Sequence, residues 1–542
     1  MQNKFKKPLA NLEPLADKEP LAGKKPVGDQ TLEKENTLST KKSLAMIRTR
    51  TVLGVQALPV IVEVHLANGL PAFSTVGLPE TAVRESKDRV RGAIINSGFE
   101  FPAKRITVNL APADIPKTGG RFDLPIAIGI LVASGQVPVN DIGQYEMIGE
   151  LALDGRLRKV SGVLPTALAS GKQHHQLIIP EENADEAALA ENTDCWQADH
   201  LLTVCRHLAG QTQMDLTEAN TSKIDRVNYP DISDVKGQLH AKRALEIAAS
   251  GNHSVLFIGP PGTGKSMLAS RLPSILPELS NQQALEAAAI QSVTNGQFDL
   301  SLWKQRPFRS PHHSASAVAL VGGGSNPRPG EISLAHHGIL FLDEFTEFTR
   351  SALEQLREPL ETGMINIARA NQSVQYPAKF LLIAACNPCP CGYLGEDRCS
   401  CSASKIENYR AKLSGPMLDR IDMHVHLPRI ATSELQKTDP NAEISNAIMQ
   451  RVERVRQLQL DRQQLLNVEL KGEILEQYCE LDKTTAQFLE SASERLQLSA
   501  RAYHRILRLA RTIADMGNSE NIEQTHIAES IGYRSLDRIN TL

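Results

Sequence analysis

The chain has 542 residues, too many for one compact core, so two to four domains are expected. Hydrophobic residues make up 41% and charged residues 22%, the balance of an ordinary soluble protein. A formal net charge of -3 excludes a global attraction to nucleic acid, so any DNA contact has to come from a local basic surface. No run approaches the ~18 consecutive apolar residues of a membrane span, and the basic start MQNKFKKPLA lacks the apolar centre of a secretory signal. Eight cysteines in so long a chain are no disulfide framework. A cytoplasmic protein without a membrane partner is expected.

Residues 1–45 repeat Pro-Leu-Ala at Pro8, Pro14 and Pro20 amid Lys, Glu and Gly. They offer too little apolar surface to offset the entropy of ordering, so a disordered extension is expected, with Met46 an alternative initiator. Residues 46–210 read as a mixed α and β domain. Val60-Ile-Val-Glu-Val-His65 and Arg105-Ile-Thr-Val-Asn-Leu110 are β-rich, residues 124–134 form an apolar helical run, and the Ala-rich residues 181–191 read as helix. A polar linker is expected over 211–229. Residues 230–428 alternate strands and helices, and 429–542 turn almost wholly helical.

The strongest signal is Val255-Leu-Phe-Ile-Gly-Pro-Pro-Gly-Thr-Gly-Lys-Ser266, an apolar strand running into G-x-x-x-x-G-K-S with a helix after it. The residues Gly259, Pro260, Pro261, Gly262, Thr263, Gly264, Lys265 and Ser266 would wrap nucleotide phosphates with backbone N–H groups. Lys265 would reach the β- and γ-phosphates of ATP, and the Ser266 hydroxyl would hold Mg²⁺. Gly338-Ile-Leu-Phe-Leu-Asp-Glu344 supplies a buried strand with Asp343 at its end for Mg²⁺ and Glu344 to polarise the attacking water. Lys379-Phe-Leu-Leu-Ile-Ala-Ala-Cys-Asn387 is a third buried strand, ending in a polar group suited to sensing the γ-phosphate or the water.

Cys389-Pro-Cys391 and Cys399-Ser-Cys401 form two C-x-C pairs on one short loop. Four thiolates so placed can close tetrahedrally on Zn²⁺, although C-x-C is tighter than the usual two-residue spacing.

Leu413-Ser-Gly-Pro-Met-Leu-Asp-Arg-Ile-Asp422 resembles the segment bearing the arginine finger in ring-forming AAA+ ATPases, which makes Arg420 the candidate. Arg501 resembles the second sensor, with Arg505 one turn on as the alternative. From residue 46 onward the chain is similar to the ComM/YifB family, the "Mg chelatase-like" AAA+ proteins. The resemblance rests on Val76-Gly-Leu-Pro, Asn109-Leu-Ala-Pro-Ala-Asp-Ile-Pro-Lys-Thr-Gly-Gly120, Phe308-Arg-Ser-Pro-His-His-Ser314, Gly363-Met-Ile-Asn-Ile-Ala-Arg369 and Cys386-Asn-Pro-Cys-Pro-Cys-Gly392. It implies an α/β multidomain protein: a Lon-protease-like (S5-type) N-terminal domain, an AAA+ P-loop α/β core and a C-terminal helical lid.

The same resemblance implies two insertions pointing into a ring's pore. One lies near residues 306–330, from Arg306 to Gly330, with Gly322-Gly-Gly324 at its tip. The other is a hairpin over residues 364–377 with Arg369 as its basic residue. It further implies a homo-hexamer acting on single-stranded or branched DNA, by branch migration, in natural transformation. The Lon likeness puts a serine nucleophile near residues 121–123 and its lysine base near Leu164, and neither residue type stands there. The rival implication is a chelatase-type motor that remodels a protein partner.

Overall fold

The computed structural model describes residues 43–536 except 140, 219–228, 297, 325–326, 370–371, 437–441 and 535. The extension expected over 1–45 therefore lies outside the described residues save its last three, and most of the expected linker does too.

The N-terminal half is built on an eight-stranded sheet. Its strands are β1 (Leu44–Leu53), β2 (Gln56–Ala67), β3 (Ala72–Val76), β4 (Arg105–Ala111), β5 (Tyr145–Met147), β8 (Gln176–Pro180), β9 (Cys195–Ala198) and β10 (Asp215–Leu216), in the order β10-β9-β8-β5-β1-β2-β4-β3. A small hairpin, β6 (Glu150–Leu151) with β7 (Leu157–Arg158), stands apart. Strand β1 begins at Leu44, inside the extension expected over 1–45, because Leu44 and Ala45 pair with His65 and Val64 across the β1–β2 hairpin. Val60, Val62, Val64 and Leu66 alternate into the core, as a half-buried strand requires. The Asp123–Ala133 helix lies against them. It comes so close that a Cβ on Gly129 would stand 2.5 Å from a Val64 methyl.

The expected helix over 181–191 is cut to a 3-10 turn, Glu181–Asn183, and a single turn, Ala184–Ala187. Its polar side chains are engaged elsewhere. Asn183 exchanges hydrogen bonds of 3.0 and 3.1 Å with the Val160 backbone, and buried Glu186 accepts from the Leu164 amide. Tertiary partners outbid local propensity there. Likewise Asp215–Leu216, within the expected linker, joins the sheet as β10.

The second half holds a five-stranded, wholly parallel sheet: β11 (Val255–Ile258), β12 (Phe308–Arg309), β15 (Ile339–Leu342), β18 (Leu381–Cys386) and β19 (Met423–His426), ordered β12-β15-β18-β11-β19. Every residue of β11, β15 and β18 is buried, which is why each reads as an unbroken apolar run. Val255 and Phe257 face the Leu239–Gly251 and Lys265–Ile275 helices, and Leu256 and Ile258 face the other side with Leu340 and Leu382. Two hairpins project from this core: β13 (Gly322–Gly323) with β14 (Arg328–Pro329), and β16 (Met364–Arg369) with β17 (Gln372–Pro377). They touch each other, since the Tyr376 hydroxyl donates to the Pro327 carbonyl at 2.8 Å. Val374 of β17 also packs beside Gly54 in the β1–β2 turn.

The Asn281–Asn295 helix joins the two halves. Its Ala288, with Phe298 and Leu300 just after it, fills a core otherwise made by Ile148, Val163 and Leu177 of the N-terminal half. Ser292 donates to Glu186 at the same seam. The described residues after β19 are mostly helical; Ser445–Gln463 packs on the sheet side and Ala500–Met516 buries Ile506, Leu509 and Ile513. Among the described residues no helix is long and apolar enough to cross a membrane.

Candidate nucleotide site and cysteine cluster

β11 ends in a turn whose first glycine is sterically required, because a Cβ on Gly259 would lie 2.6 Å from the Leu427 carbonyl. Gly262 and Gly264 adopt φ of 80° and 88° with nothing within 4 Å of the missing Cβ. The loop thus presents an open backbone face at the start of the Lys265–Ile275 helix, the arrangement that receives anionic oxygens. Lys265 Nζ donates to the carbonyls of Gly259 at 2.6 Å and Pro260 at 3.0 Å, and to Asn387 Oδ1 at 3.1 Å. Burial holds its pKa below the ordinary lysine value. The Ser266 hydroxyl donates to Asp343 Oδ2 at 2.6 Å, and the Glu344 amide to Asp343 Oδ1 at 2.9 Å. Ser266 and Asp343 form a pair of hard oxygen donors that suits Mg²⁺, and the glycine-opened loop suits phosphate. The structure brings together Lys265, Ser266, Asp343, Glu344 and Asn387, all named from sequence.

Two participants were not assigned these roles from sequence. His313 Nδ1 lies 2.9 Å from Glu344 Oε2, and Glu344 itself sits at φ 51°. Gln238, also left-handed at φ 51°, donates to the P-loop carbonyl of Thr263 at 3.2 Å and to Pro428 at 2.8 Å. The Gly237-Gln238 dipeptide was the available signal for the second. Nothing in spacing pointed to the first.

The arginines stand elsewhere. Arg420 is 8% exposed, with Nη2 2.5 Å from Glu361 and Nη1 donating to the Pro416 carbonyl at 2.7 Å. It lines a cleft of about 650 Å³ together with Arg501, Arg505, Arg508 and Lys379. Ser254, Gly338 and Asp422, which immediately precede β11, β15 and β19, line the same cleft. The cleft therefore opens at the N-terminal ends of the strands and the P-loop at their C-terminal ends, roughly 15 Å apart by strand rise. Arg505 is pinned to Asp422, while Arg501 is exposed at the rim. Neither Arg420 nor Arg501 faces its own Lys265. Arg306, where the first expected insertion begins, is half-buried and anchored to backbone carbonyls. Its guanidinium donates to Pro277 and His337 carbonyls at 2.6 and 2.8 Å, and burial lowers its pKa to about 10. The hairpin proper begins at Gly322.

The four loop thiols converge. Cys389 Sγ lies 3.4 Å from Cys391 Sγ and 3.9 Å from Cys399 Sγ, Cys391 and Cys399 are 3.6 Å apart, and with Cys401 all lie within 4.8 Å of one another. A second group, Glu286 with His336 and His337, is a hydrogen-bonded tie. Each Nε2 faces Glu286, at 3.4 and 2.7 Å, and His336 Nδ1 accepts from the Lys379 amide. In the N-terminal half, the positions assigned to a peptidase dyad hold other chemistry. Arg121 donates to the Arg50 and Ser161 carbonyls, Asp123 pairs with Arg89 at 2.7 Å, and Leu164 is core.

Residues 231–435 match the family described as magnesium chelatase, subunit ChlI; residues 62–183 match subunit ChlI of Mg-chelatase, and residues 442–534 its C-terminal part. Fold and site thus define a magnesium-chelatase-type AAA+ protein with the machinery of an ATPase. The chain is 50% identical to competence protein ComM of Haemophilus influenzae over 502 residues, covering 92% of this chain and 98% of that one. It is 49% identical, with the same coverage, to the uncharacterized protein YifB of Escherichia coli. Magnesium-chelatase subunit ChlI of Synechocystis is 23% identical over 41% of this chain and 63% of its own. The chain belongs to the ComM/YifB family.

Proposed function

We propose that the chain is an ATP-driven ring motor on DNA, six copies enclosing a single-stranded or branched substrate and driving branch migration in natural transformation. The observation that carries the ring is the separation of the P-loop from the Arg420 cleft. A subunit that holds ATP at one end of its sheet and its arginines at the other completes a site only with a neighbour. Bound Mg²⁺·ATP supplies the scissile phosphate and the counter-charge for it. Lys265 and the loop amides hold the phosphates, Ser266 and Asp343 hold the metal, and Asn387 reads the γ-phosphate. Glu344, once away from His313, orients water. Arg420, with Arg501, stabilises charge developing on the neighbour's γ-phosphate.

The DNA reading draws on the relative's name, a competence protein, and on the two joined hairpins as a backbone-tracking surface. The Arg369 side chain lies outside what the structure describes. The N-terminal half is read as a Lon-like fold without its dyad, kept for assembly or binding, and the helical region as the lid, all in the cytoplasm.

The test is the ATPase rate with and without single-stranded and forked DNA, with Glu344→Gln as the blank. DNA stimulation that vanishes in the variant is expected. A Glu344-dependent but DNA-indifferent rate sinks the DNA reading and favours the second one, a chelatase-type motor remodelling a protein partner, to which the matched family descriptions lend weight.

A further inference from the structure

We propose that Cys389, Cys391, Cys399 and Cys401 bind one structural Zn²⁺ as a tetrathiolate, and that this metal braces the P-loop through Gly392. Zinc–sulfur bonds of ~2.3 Å in a tetrahedron put the sulfurs roughly 3.8 Å apart. The separations among Cys389, Cys391 and Cys399, at 3.4, 3.6 and 3.9 Å, fall around that value, and Cys401 Sγ lies within 4.8 Å of the other three. Backbone amides are directed at the sulfurs. Amides of Tyr393 and Ser400 donate to the Cys391 sulfur, that of Cys401 to Cys399, and that of Cys391 to Cys401. Such N–H···S bonds are the outer contacts that orient a metal's ligands. Gly392 and Gly395, at φ of 85° and 89°, make the reversals that bring the two C-x-C pairs face to face.

The loop is tied to the nucleotide site at two points and to the chain leaving β19 at a third. A Cβ on Gly392 would stand 2.7 Å from Pro261 Cδ, so the loop backbone lies directly on the P-loop. Asn387, two residues before the first thiol, accepts from Lys265. Glu396 pairs with Arg429 at 2.8 Å, and the Arg429 and Arg398 guanidinium groups cover the Tyr393 ring, which joins the loop to the chain leaving β19. Four cysteines on one reversal have no apolar core of their own to hold them. A metal closing that loop fixes Gly392 against Pro261 and keeps Asn387 aimed at Lys265. The bracing half of the proposal rests on the reading of residues 259–266 as the nucleotide site. The metal half does not.

Protein purified in reducing buffer without chelator is expected to carry one zinc per chain by elemental mass spectrometry. After withdrawal it should take up Co²⁺ with the intense thiolate charge-transfer and tetrahedral d–d bands. Both should be lost in a Cys399→Ser, Cys401→Ser double variant. Neither stoichiometric zinc nor cobalt bands in the unaltered chain overturns the site. Since ligand variants can fail to fold, bracing is read on the intact chain with a fluorescent ADP analogue. Affinity should fall several-fold when a chelator removes zinc and recover when zinc is restored. Nucleotide binding that is unaltered by zinc removal overturns the brace. Lys265→Ala should abolish nucleotide binding at full zinc occupancy. If it does not, the nucleotide reading has failed rather than the metal site.

Discussion

Two features would hold Glu344 back from the proposed water-orienting role at rest. A non-glycine residue at φ 51° carries backbone strain of about 1–2 kcal/mol, and its carboxylate is engaged by His313 at 2.9 Å. His313→Ala is expected to raise the ATPase rate without DNA and to shrink the stimulation that DNA gives, measured as phosphate release. A drop in both rates would mean that His313 positions the base instead. A second residue sets an acid limit. His253 is fully buried with Nε2 2.7 Å from the Thr512 hydroxyl, and burial pushes its pKa down to about 4. His337 is lowered to about 4 as well, by burial and then by neighbouring His336. For a group whose folded pKa lies below its unfolded value, the unfolded chain gains the proton first, so stability falls as pH drops from about 6.5 towards 4. The thermal midpoint should therefore decline between pH 7 and pH 5, with a shallower slope in His253→Gln. At this scale the P-loop was legible because strand, glycines, lysine and serine are contiguous. The His313–Glu344 contact was not, since it joins two loops that only the sheet brings together.

Among the elements, the Asn281–Asn295 helix matters most and announced itself least. Its alanines are buried on several sides, Ala284 and Ala287 in one cluster and Ala288 in another, so no single apolar stripe marks a partner. The strands of the parallel sheet were readable for the opposite reason: burial on both faces gives uninterrupted apolar runs bounded by glycine or polar residues. The 181–191 segment misled because alanine content reports helix propensity, whereas Asn183 and Glu186 were committed to distant backbone and to Ser292. Phe298, 4% exposed, fills the seam beside Ala288. Phe298→Ala should cost about 3–5 kcal/mol. The loss should show in both halves, as simultaneous protease sensitivity around β8 and around β12, rather than as separate unfolding.

At the scale of the whole molecule, the decisive fact is that the arginine cleft and the P-loop occupy opposite ends of one sheet. If neighbouring copies complete each other's sites, two dead variants should rescue one another. Lys265→Ala keeps its arginines and loses its phosphate site, and Arg420→Ala does the reverse. Mixed before assembly, they should regain a fraction of the ATPase rate that neither shows alone, and no recovery on mixing would argue against sites shared between subunits. The mixed α/β character and the parallel-sheet core were legible from composition and periodicity. The relation of the two halves was not, because it depends on side chains that meet across the seam. That seam has a consequence for how such a protein is inherited. Ala288, Phe298 and Leu300 of one half form the inner lining of the other, so neither half is a cassette. An exchange of genetic material that replaced only the N-terminal half would leave an apolar scar open to water, and one that replaced only the ATPase half would leave a hollow.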